Sequence, residues 1–422
     1  MEKAMLSVKN SYDTEPVLSI GIILPIDKKN SIEIFSHEKN KLYKIETHKN
    51  KIIINNSQKE SILLHNDKTN VFHTIRSVPA GRGFHWEKSI DVKLPGSLLI
   101  KNKNGFLFII NKISLEEYLP CVATSEMSGA CPPALLEAQT ITARSWIIAA
   151  SEKKHSKLGI DACNDDCCQR YQGIGNITTE AITASKKTRG KFLLYQNEIC
   201  DARYSKSCGG ITENNENVWE DPPKPYLRGI FDGLSKSIPD FKDHKDKIDW
   251  ILNQSDCYCS NKFIKEKDLK KYIGNVDNKG TYYRWVYSST QKQLTETINK
   301  KCGTSFHSIK SLIPKKRGIS GRITSLEISG LFNNQIESIK LESEYEIRNA
   351  LHPEFLYSSA FVIILDSKEN DMFKSITLKG AGWGHGVGLC QIGALGMALS
   401  KKTSKTILSH YFSSALVKKL YD

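Results

Sequence analysis

Four thiol and imidazole side chains lie close together in the segment HSKLGIDACNDDCCQRYQG, namely His155, Cys163, Cys167 and Cys168. Thiolates and imidazoles are ligands that zinc takes in tetrahedral sites. The spacing matches no zinc-finger or zinc-ribbon pattern, so three interpretations stay open from these residues alone: a metal site, a disulfide, or thiols that only pack or react. The chain has 11 cysteines, an odd number, so they cannot all pair within it.

A second unusual segment, KGAGWGHGVGLCQIGA, has glycine at every second position from Gly380 to Gly388. In an extended backbone this alternation would leave one face bare and place Trp383 and His385 on the other. Glycine weakens a strand, so the run predicts that another segment or a ligand approaches the backbone closely. An indole stacks on sugar rings and an imidazole hydrogen-bonds hydroxyls, which favours a saccharide platform. A glycine-lined crossing of packed strands is the alternative.

Glu126 lies in ATSEMSGACPP, between two predicted helices. A carboxylic acid at such a junction can have its pKa raised by burial, and can then serve as a general acid and afterwards as a base. Glutamates are common at helix ends, so this position alone does not define an active site.

The elements that must position these residues begin with a pair of helices. Ser114 and Glu117 have the spacing of a capping box, which predicts a helix over LEEYLPCVATSEM that is interrupted at Pro120. Pro132 and Pro133 fit the first turn of a second helix, ALLEAQTITARSWIIAAS, whose apolar residues recur at helical spacing. The two helices together cover about residues 114–151.

Short β-prone runs alternate with turn residues from about Ser19 to Ile110, which predicts a β-rich N-terminal region over residues 1–112. We assign residues 113–422 to a second domain, in which the polar residues 236–300 are interpreted as an insertion. Strand patterns return after Gly321. The predicted fold class is therefore α+β, a β-rich N-terminal region followed by a mixed α/β core.

The chain has 422 residues and a formal net charge of +14, from 60 Lys and Arg against 46 Asp and Glu. Such a charge attracts polyanions: nucleic acid, an anionic membrane surface or an acidic wall polymer. No nucleic-acid-binding motif is found, and the dispersed lysines are typical of a solvated surface. No run approaches the roughly 20 apolar residues that span a bilayer, and the first residues do not have the pattern of a signal peptide.

From about Leu115 to Asp422, the chain resembles the stage II sporulation protein D family of peptidoglycan lytic transglycosylases, which includes amidase-enhancer proteins. Several separate segments carry the resemblance, in the order of the family: LEEYLPCVATSEM, ALLEAQTITARSW, DAC followed by CCQRYQG, ARYSKSCGGITE, VWED, RGISGRI, LYSSAFVI, GAGWGHGVGLCQIGA and ILSHYF.

The resemblance implies that Glu126 is the catalytic acid and base, and that zinc is bound by His155, Cys163 and Cys168. Relatives often have His where this chain has Cys167, so Cys167 could join the metal set, pair with another thiol or do neither. The matching positions imply a substrate-binding set: Arg144, Ser145, Gln169, Tyr171, Ser207, Gly209, Gly210, Trp383, His385 and Gln391. We expect Arg144 and Ser145 to face the cleft, and the glycine-alternating segment to line the same cleft as Glu126.

The activity that the resemblance implies is cleavage of the β-1,4 bond between N-acetylmuramic acid and N-acetylglucosamine, preferably in glycan without stem peptides. The 6-hydroxyl of the muramic acid attacks C1 and forms a 1,6-anhydro end, so no activated water is needed and one carboxyl group can suffice. The implied location is the cell envelope, and a cell-wall amidase is a possible partner. A non-catalytic glycan-binding activator of such an amidase is the alternative function.

Overall fold

The computed structural model describes residues 14–66, 71–84, 87–235, 237–241, 244–274, 281–366, 368–369 and 372–422. Two compact units divide the chain. Unit 1 comprises Met1–Asp201, Lys270–Asp277 and Leu416–Asp422, and unit 2 comprises Ala202–Leu269 and Asn278–Ala415. This division lies far from the boundary expected between residues 112 and 113.

The strands follow in chain order: β1 Val17–Ile23, β2 Ser31–Ser36, β3 Lys41–His48, β4 Lys51–Ile54, β5 Ser57–Lys59, β6 Ser61–Leu64, β7 His73–Ala80, β8 Lys88–Leu94, β9 Ser97–Lys103, β10 Phe106–Ser114, β11 Ala162–Cys163, β12 Lys191–Tyr195, β13 Glu198–Ile199, β14 Tyr204–Ser205, β15 Arg284–Thr290, β16 Ser308–Arg317, β17 Ile323–Phe332, β18 Gln335–Leu341, β19 Phe361–Leu365, β20 Lys368–Glu369, β21 Met372–Phe373, β22 Ser375–Ala381, β23 Leu389–Cys390 and β24 Leu416–Lys419. The helices are α1 Leu115–Glu126, α2 Pro133–Ala149, α3 Thr179–Lys187, α4 His244–Leu252, α5 Glu266–Leu269, α6 Gln291–Cys302, α7 Glu344–Ala350, α8 Gln391–Leu399 and α9 Ser404–Tyr411.

Unit 1 contains a five-stranded sheet in the order β11-β1-β10-β9-β6 and a six-stranded sheet in the order β5-β4-β3-β2-β7-β8. A third sheet, β13-β12-β24, pairs strands at the end of the unit's first segment with a strand of its last segment. Buried residues of the strands, such as Ile20 and Ile109, share one hydrophobic core with Leu119 of α1 and Trp146 of α2. Because one core spans these elements, the expected boundary at residue 112 falls inside a packed unit rather than in a linker.

The two predicted helices are present, and α2 begins at Pro133 as its prolines predict. The predicted break at Pro120 is wrong, because α1 continues through it to Glu126. Proline removes one backbone donor, but Leu119 and Val122 on either side are fully buried, and this packing holds the helix together. The Ser114 hydroxyl donates to the Glu117 carboxylate at 3.1 Å and does not cap the backbone.

Unit 2 contains the sheets β15-β22-β19 and β16-β17-β18 and the parallel pair β14-β23. Its main core includes Trp285, Leu326, Phe361 and Leu378. Strand β15 lies within the segment expected to be an insertion, yet it pairs with β22 from Arg284 to Thr290. That part of the segment therefore belongs to the core sheet of the unit.

The helices and the mainly antiparallel sheets together make this an α+β fold, as the sequence predicts. Among the described residues, no helix is both long and apolar enough to cross a membrane.

Candidate functional site

Glu126 is the last residue of α1 and its side chain is 8% exposed. Its carboxylate oxygen Oε1 accepts the backbone N–H of Arg170 at 3.0 Å. The preceding residue, Ser125, accepts the backbone N–H of Gln172 with its hydroxyl at 3.0 Å. Two backbone donors of one loop are thus bound to the C-terminal end of α1, which fixes the orientation of the Glu126 carboxyl group.

Gln169 and Tyr171 of this loop point into the core of unit 1, where each is fully buried. The Gln169 amide donates to the Ala143 carbonyl at 3.2 Å, and its oxygen accepts from Tyr118 at 3.1 Å. The Tyr171 hydroxyl donates to Asn111 at 2.7 Å. These contacts hold the loop in place, which differs from the direct substrate binding expected of both residues.

The thiol and imidazole cluster comprises His155, Cys163, Cys167 and Cys168, whose donor atoms all lie within 4.8 Å of one another. The Cys163 and Cys167 sulfurs are 3.1 Å apart, and Cys167 Sγ lies 3.6 Å from His155 Nε2. A disulfide needs sulfurs about 2.05 Å apart, and all three cysteines are free thiols. Hydrogen bonds from the Cys163 and Cys168 thiols, with His155 facing it, hold the pKa of Cys167 below its ordinary value despite burial.

A half-buried cation, Arg82, connects the start of this loop to the β-rich part of unit 1. Its guanidinium donates to Asp27 at 2.6 and 2.9 Å and to Asp165 at 3.1 Å. Asp165 also accepts the backbone N–H groups of Gly81 and Arg82, each at 2.8 Å. Asp165, which lies between Cys163 and Cys167, therefore has a structural role: it holds the loop against the segment of Gly81 and Arg82.

Asp166 is a second carboxyl group near Glu126 that the sequence did not single out. It forms a bidentate pair with the Arg170 guanidinium. Burial raises the pKa of Asp166 to about 6, with the negative charges of Glu126 and Asp165 adding to this shift and Arg170 opposing it. The four-residue spacing of Asp166 and Arg170 in DDCCQR suggests their pairing. Nothing in the local sequence indicates that Asp166 lies near Glu126.

Arg144 and Ser145 do not face a cleft as expected, because α2 turns both side chains into the core, where they are 0% exposed. The Arg144 guanidinium donates to Glu116 at 2.9 and 2.7 Å and to the Lys191 carbonyl at 3.0 Å. Ser145 accepts the Leu193 N–H at 2.9 Å. Both residues therefore fasten α2 to β12 and are structural in this fold.

The glycine-alternating segment is not an extended strand throughout. It leaves β22 at Ala381, and Gly382, Gly384, Gly386 and Gly388 all have φ between 73° and 92°. A Cβ at Gly382 would lie 2.7 Å from the Ser207 carbonyl oxygen, and a Cβ at Gly386 would collide with the Arg322 guanidinium. The glycines are needed for left-handed backbone and for close approach, which matches the crossing alternative.

Ser207, Gly209 and Gly210 form the turn that the glycine-alternating segment crosses. Ser207 and Trp383 exchange backbone hydrogen bonds at 3.1 and 2.7 Å. Gly209 and Gly210 have positive φ, and a Cβ at Gly209 would lie 2.7 Å from the Gly382 nitrogen. Gln391, at the start of α8, is buried. Substrate binding by these four residues stays a prediction.

Trp383 is 9% exposed and is packed among tyrosines, so its indole is not the open sugar platform expected. Its ring stacks on Tyr357 at 4.4 Å between centroids and meets Tyr282 at 4.8 Å. Trp219, from the VWED motif, is half-buried, and its ring lies 4.9 Å from the His385 ring and under the Arg203 guanidinium at 4.2 Å.

His385 remains partly exposed, and its Nδ1 accepts the Val387 N–H at 3.1 Å. Burial of the ring and the charges of Arg203, Arg322 and Arg348 hold the pKa of His385 well below its ordinary value. The ring is therefore neutral, and its other nitrogen, Nε2, carries the proton and can donate it in a hydrogen bond. Because Glu126 belongs to unit 1 and His385 to unit 2, a shared cleft stays a prediction.

The fold and these side chains define a class: an α+β protein in which a buried glutamate at a helix end is bound by the loop that carries the cysteines of a thiol and imidazole cluster. Residues 103–195 match a family model described as stage II sporulation protein, and residues 213–388 match a domain of unknown function (DUF8618). The first match covers α1, α2 and the whole thiol and imidazole cluster.

Two similar proteins have names that agree with the match to the stage II sporulation protein model. The chain is 24% identical to stage II sporulation protein D of Bacillus subtilis over 81% of its own length and 84% of that protein. It is 27% identical to the amidase enhancer of Bacillus subtilis over 69% of its length but only 39% of that protein. An uncharacterized protein of Brachyspira hyodysenteriae is 28% identical over 75% of this chain and 70% of its own. The resemblance to the stage II sporulation protein D and amidase-enhancer family is thereby confirmed.

Proposed function

We propose that this protein is a peptidoglycan lytic transglycosylase, which cleaves the bond between N-acetylmuramic acid and N-acetylglucosamine in glycan strands and leaves 1,6-anhydro ends. The observation that carries the proposal is the oriented carboxyl group of Glu126, held by the Arg170 backbone at the end of a buried helix. The family resemblance supports a role in the cell wall, and hence action in the cell envelope.

Glu126 first donates a proton to the leaving glycosidic oxygen, as general acid, while positive charge develops at C1 of the muramic acid. The resulting carboxylate then accepts the proton of the 6-hydroxyl of that same sugar, whose oxygen attacks C1 and closes the anhydro ring. Atoms balance without water, and the carboxyl group returns to its starting state. A fixed carboxyl group suits this sequence, because both proton transfers must occur from one position.

Anionic glycan is the substrate class that the charge of the protein favours. The lactyl carboxylates of peptide-free muramic acid are negative, and the chain carries a formal charge of +14. Attraction between the two would raise the rate of encounter and weaken as salt screens it.

The cluster of His155, Cys163, Cys167 and Cys168 fits zinc, since three thiols and one imidazole converge within 4.8 Å and these are zinc's preferred protein ligands. The set expected from the family was His155, Cys163 and Cys168, and the position of Cys167 makes it the fourth ligand in our proposal. Bound zinc would supply structural bracing, because Cys168 is two residues from Arg170, whose N–H holds Glu126. The acid and base steps themselves use Glu126.

Replacing Cys163 by serine is expected to remove one equivalent of zinc per chain from protein purified without chelator, measured by elemental analysis. Cys121→Ser is the matched control, because Cys121 is a buried thiol of the same unit outside the cluster. Zinc content that is unchanged in Cys163→Ser, or a Cys163–Cys168 disulfide in the untreated protein, would replace the metal interpretation with a redox one.

Product analysis tests the reaction type. Wild-type protein incubated with peptide-free glycan strands in oxygen-labelled water is expected to give anhydro ends without label, detected by mass spectrometry. A hydrolase adds water across the bond and would place the label at the reducing end. Labelled ends would therefore show that the transglycosylase mechanism is wrong.

A second candidate is a non-catalytic activator of a cell-wall amidase. It is favoured by the similarity to the amidase enhancer of Bacillus subtilis, of which the chain covers 39%. An activator would leave pure glycan strands intact and would raise the rate of a purified amidase on whole peptidoglycan. Loss of wall clearing on substitution of Glu126 alone would favour the enzyme.

A further inference from the structure

Unit 2 contains a second cluster of metal-ligating side chains, comprising Cys208, Asp232, Cys259 and Cys390. Their ligand atoms all lie within 4.8 Å of one another, and each residue is at most 3% exposed. They come from four segments that are far apart in the sequence: the turn after β14, the chain before α4, the loop between α4 and α5, and the end of β23. No part of the proposed cleavage mechanism uses them.

Two distances in this second cluster match edges of a tetrahedron around one metal ion. The Cys208 and Cys259 sulfurs are 3.7 Å apart, and Cys208 Sγ lies 3.6 Å from Asp232 Oδ2. With zinc–sulfur bonds of about 2.3 Å and zinc–oxygen bonds of about 2.0 Å, tetrahedral geometry separates two sulfurs by about 3.8 Å and a sulfur from an oxygen by about 3.5 Å. The same 3.7 Å separation is too long for a disulfide, which needs about 2.05 Å.

Backbone N–H groups donate hydrogen bonds to the sulfurs of this cluster, as expected of a preorganised metal site. Gly210 N–H donates to Cys208 Sγ at 3.3 Å, and the N–H groups of Cys208 and Gly393 donate to Cys390 Sγ at 3.2 and 3.3 Å. Such bonds stabilise thiolates and orient them toward a metal. Cys390 also caps the start of α8, whose dipole favours negative charge at that end.

Asp232 is held for coordination by its own partners. Its Oδ1 accepts the Tyr411 hydroxyl at 2.7 Å, and its Oδ2 accepts the Cys259 N–H at 3.1 Å. The carboxylate is 0% exposed, and the His410 imidazole lies near it, with Nε2 at 3.7 Å from Oδ1, but this ring offers a positive charge only when it is protonated. A fully buried carboxylate beside three thiols is costly unless a cation compensates it.

We propose that unit 2 binds a structural zinc ion through Cys208, Cys259, Cys390 and Asp232. The four protein ligands complete a tetrahedron, which is the form of structural rather than catalytic zinc. Through Cys208 and Cys390, the ion links the Ser207–Gly210 turn to the end of the glycine-alternating segment. These are the two segments whose backbones cross in this unit. Cys257, whose sulfur is 3.7 Å from that of Cys259, lies outside the set.

Elemental analysis of variants made in a Cys163→Ser background tests this site apart from the cluster in unit 1. In a Cys163→Ser background, which removes the other proposed zinc, the protein should retain one equivalent of zinc. Adding Cys390→Ser should remove it, whereas adding Cys257→Ser should not. Cys257 is the matched control, because it is as buried as the ligands and contacts one of them.

Asp232→Asn gives a milder variant that keeps the shape of the side chain, in case Cys390→Ser does not fold. In cobalt-substituted protein of the Cys163→Ser background, tetrahedral cobalt with intense thiolate-to-cobalt charge transfer is expected. Adding Asp232→Asn should shift this spectrum, whereas adding Cys257→Ser should leave it unchanged. Absence of metal from the Cys163→Ser protein, bound iron with sulfide, or a disulfide among these cysteines would overturn the proposal. Loss of zinc in Cys257→Ser equal to that in Cys390→Ser would overturn the assigned ligand set.

Discussion

Replacing Glu126 by glutamine is expected to abolish cleavage of peptide-free glycan strands while leaving the fold and glycan binding intact. The amide preserves the shape of the carboxyl group and can still accept the Arg170 N–H, but it cannot deliver a proton to the leaving oxygen. General acid or base catalysis contributes about 10²–10⁴-fold, and one group serves both transfers in the proposed mechanism. The rate should therefore fall by at least that factor, measured as anhydro ends formed per unit time.

Glu117→Gln is the control for this variant, because Glu117 is an exposed glutamate on the same helix. It should cleave at the wild-type rate. Co-sedimentation with insoluble glycan should show equal binding for wild type, Glu117→Gln and Glu126→Gln. Cleavage by Glu126→Gln at a near wild-type rate would mean that another carboxyl group is the acid, and Asp166 would be the first to test.

Replacing Arg144 by leucine is expected to lower the free energy of unfolding by about 3–5 kcal/mol, because it leaves the Glu116 carboxylate buried without its cation. Glu116 accepts from Arg144 twice, from the Tyr421 hydroxyl at 2.6 Å and from the Gly190 N–H at 3.2 Å. The network connects α1, α2, β12 and the end of β24. Denaturant unfolding followed by circular dichroism measures the change.

Arg189→Leu is the matched control. Arg189 also pairs with a glutamate, Glu15, at 2.7 Å, but its side chain is 40% exposed. An exposed pair contributes at most about 1 kcal/mol, so this variant should unfold almost as the parent does. An Arg144→Leu protein as stable as Arg189→Leu would contradict the structural role of Arg144, and would return it to the substrate-binding residues.

The stability that the Arg144–Glu116 pair contributes depends on pH. Burial alone would raise the pKa of Glu116, but the hydrogen bonds and charge of Arg144 hold it below the ordinary value of 4.5. The stability that this carboxylate contributes is therefore fully present above pH 4.5 and is lost as the pH falls through its lower folded-state pKa. In Arg144→Leu this part of the acid sensitivity should move to higher pH.

Two features of the candidate site could be predicted from local patterns. The convergence of His155 with three cysteines and the start of α2 at its prolines lie within short stretches whose spacing carries the information. Glu126 was identified through the family resemblance, and its catalytic role stays a prediction. The close approach of backbone at the glycine-alternating segment was also foreseeable, because alternate glycines have few other uses. Its left-handed turns were not, since alternation alone does not distinguish an extended strand from a run of positive φ.

The errors have a common physical origin in long-range packing. Because Arg144 is charged, the sequence suggests that its side chain lies at the surface or in a cleft. Its burial is possible only because Glu116, which also accepts from Tyr421, is distant in sequence but close in the fold. Trp383 was expected to be open to sugar because nothing near it in sequence shows that Tyr357 and Tyr282 cover it. The cluster of Cys208, Asp232, Cys259 and Cys390 was missed for the same reason: its residues span positions 208–390, and no spacing rule reaches that far.

Unit 1 is discontinuous, and this affects the order in which the protein can fold during synthesis. Strand β24 pairs with β12, and the Tyr421 hydroxyl bonds to Glu116 across 305 residues of sequence. A ribosome that has released residues 1–201 has made α1 and α2, but neither the strand that covers β12 nor that hydroxyl. All of unit 2 is translated before they emerge. Because domains fold as their residues become available, the helix that carries Glu126 reaches its final packing late, after unit 2 has had time to form.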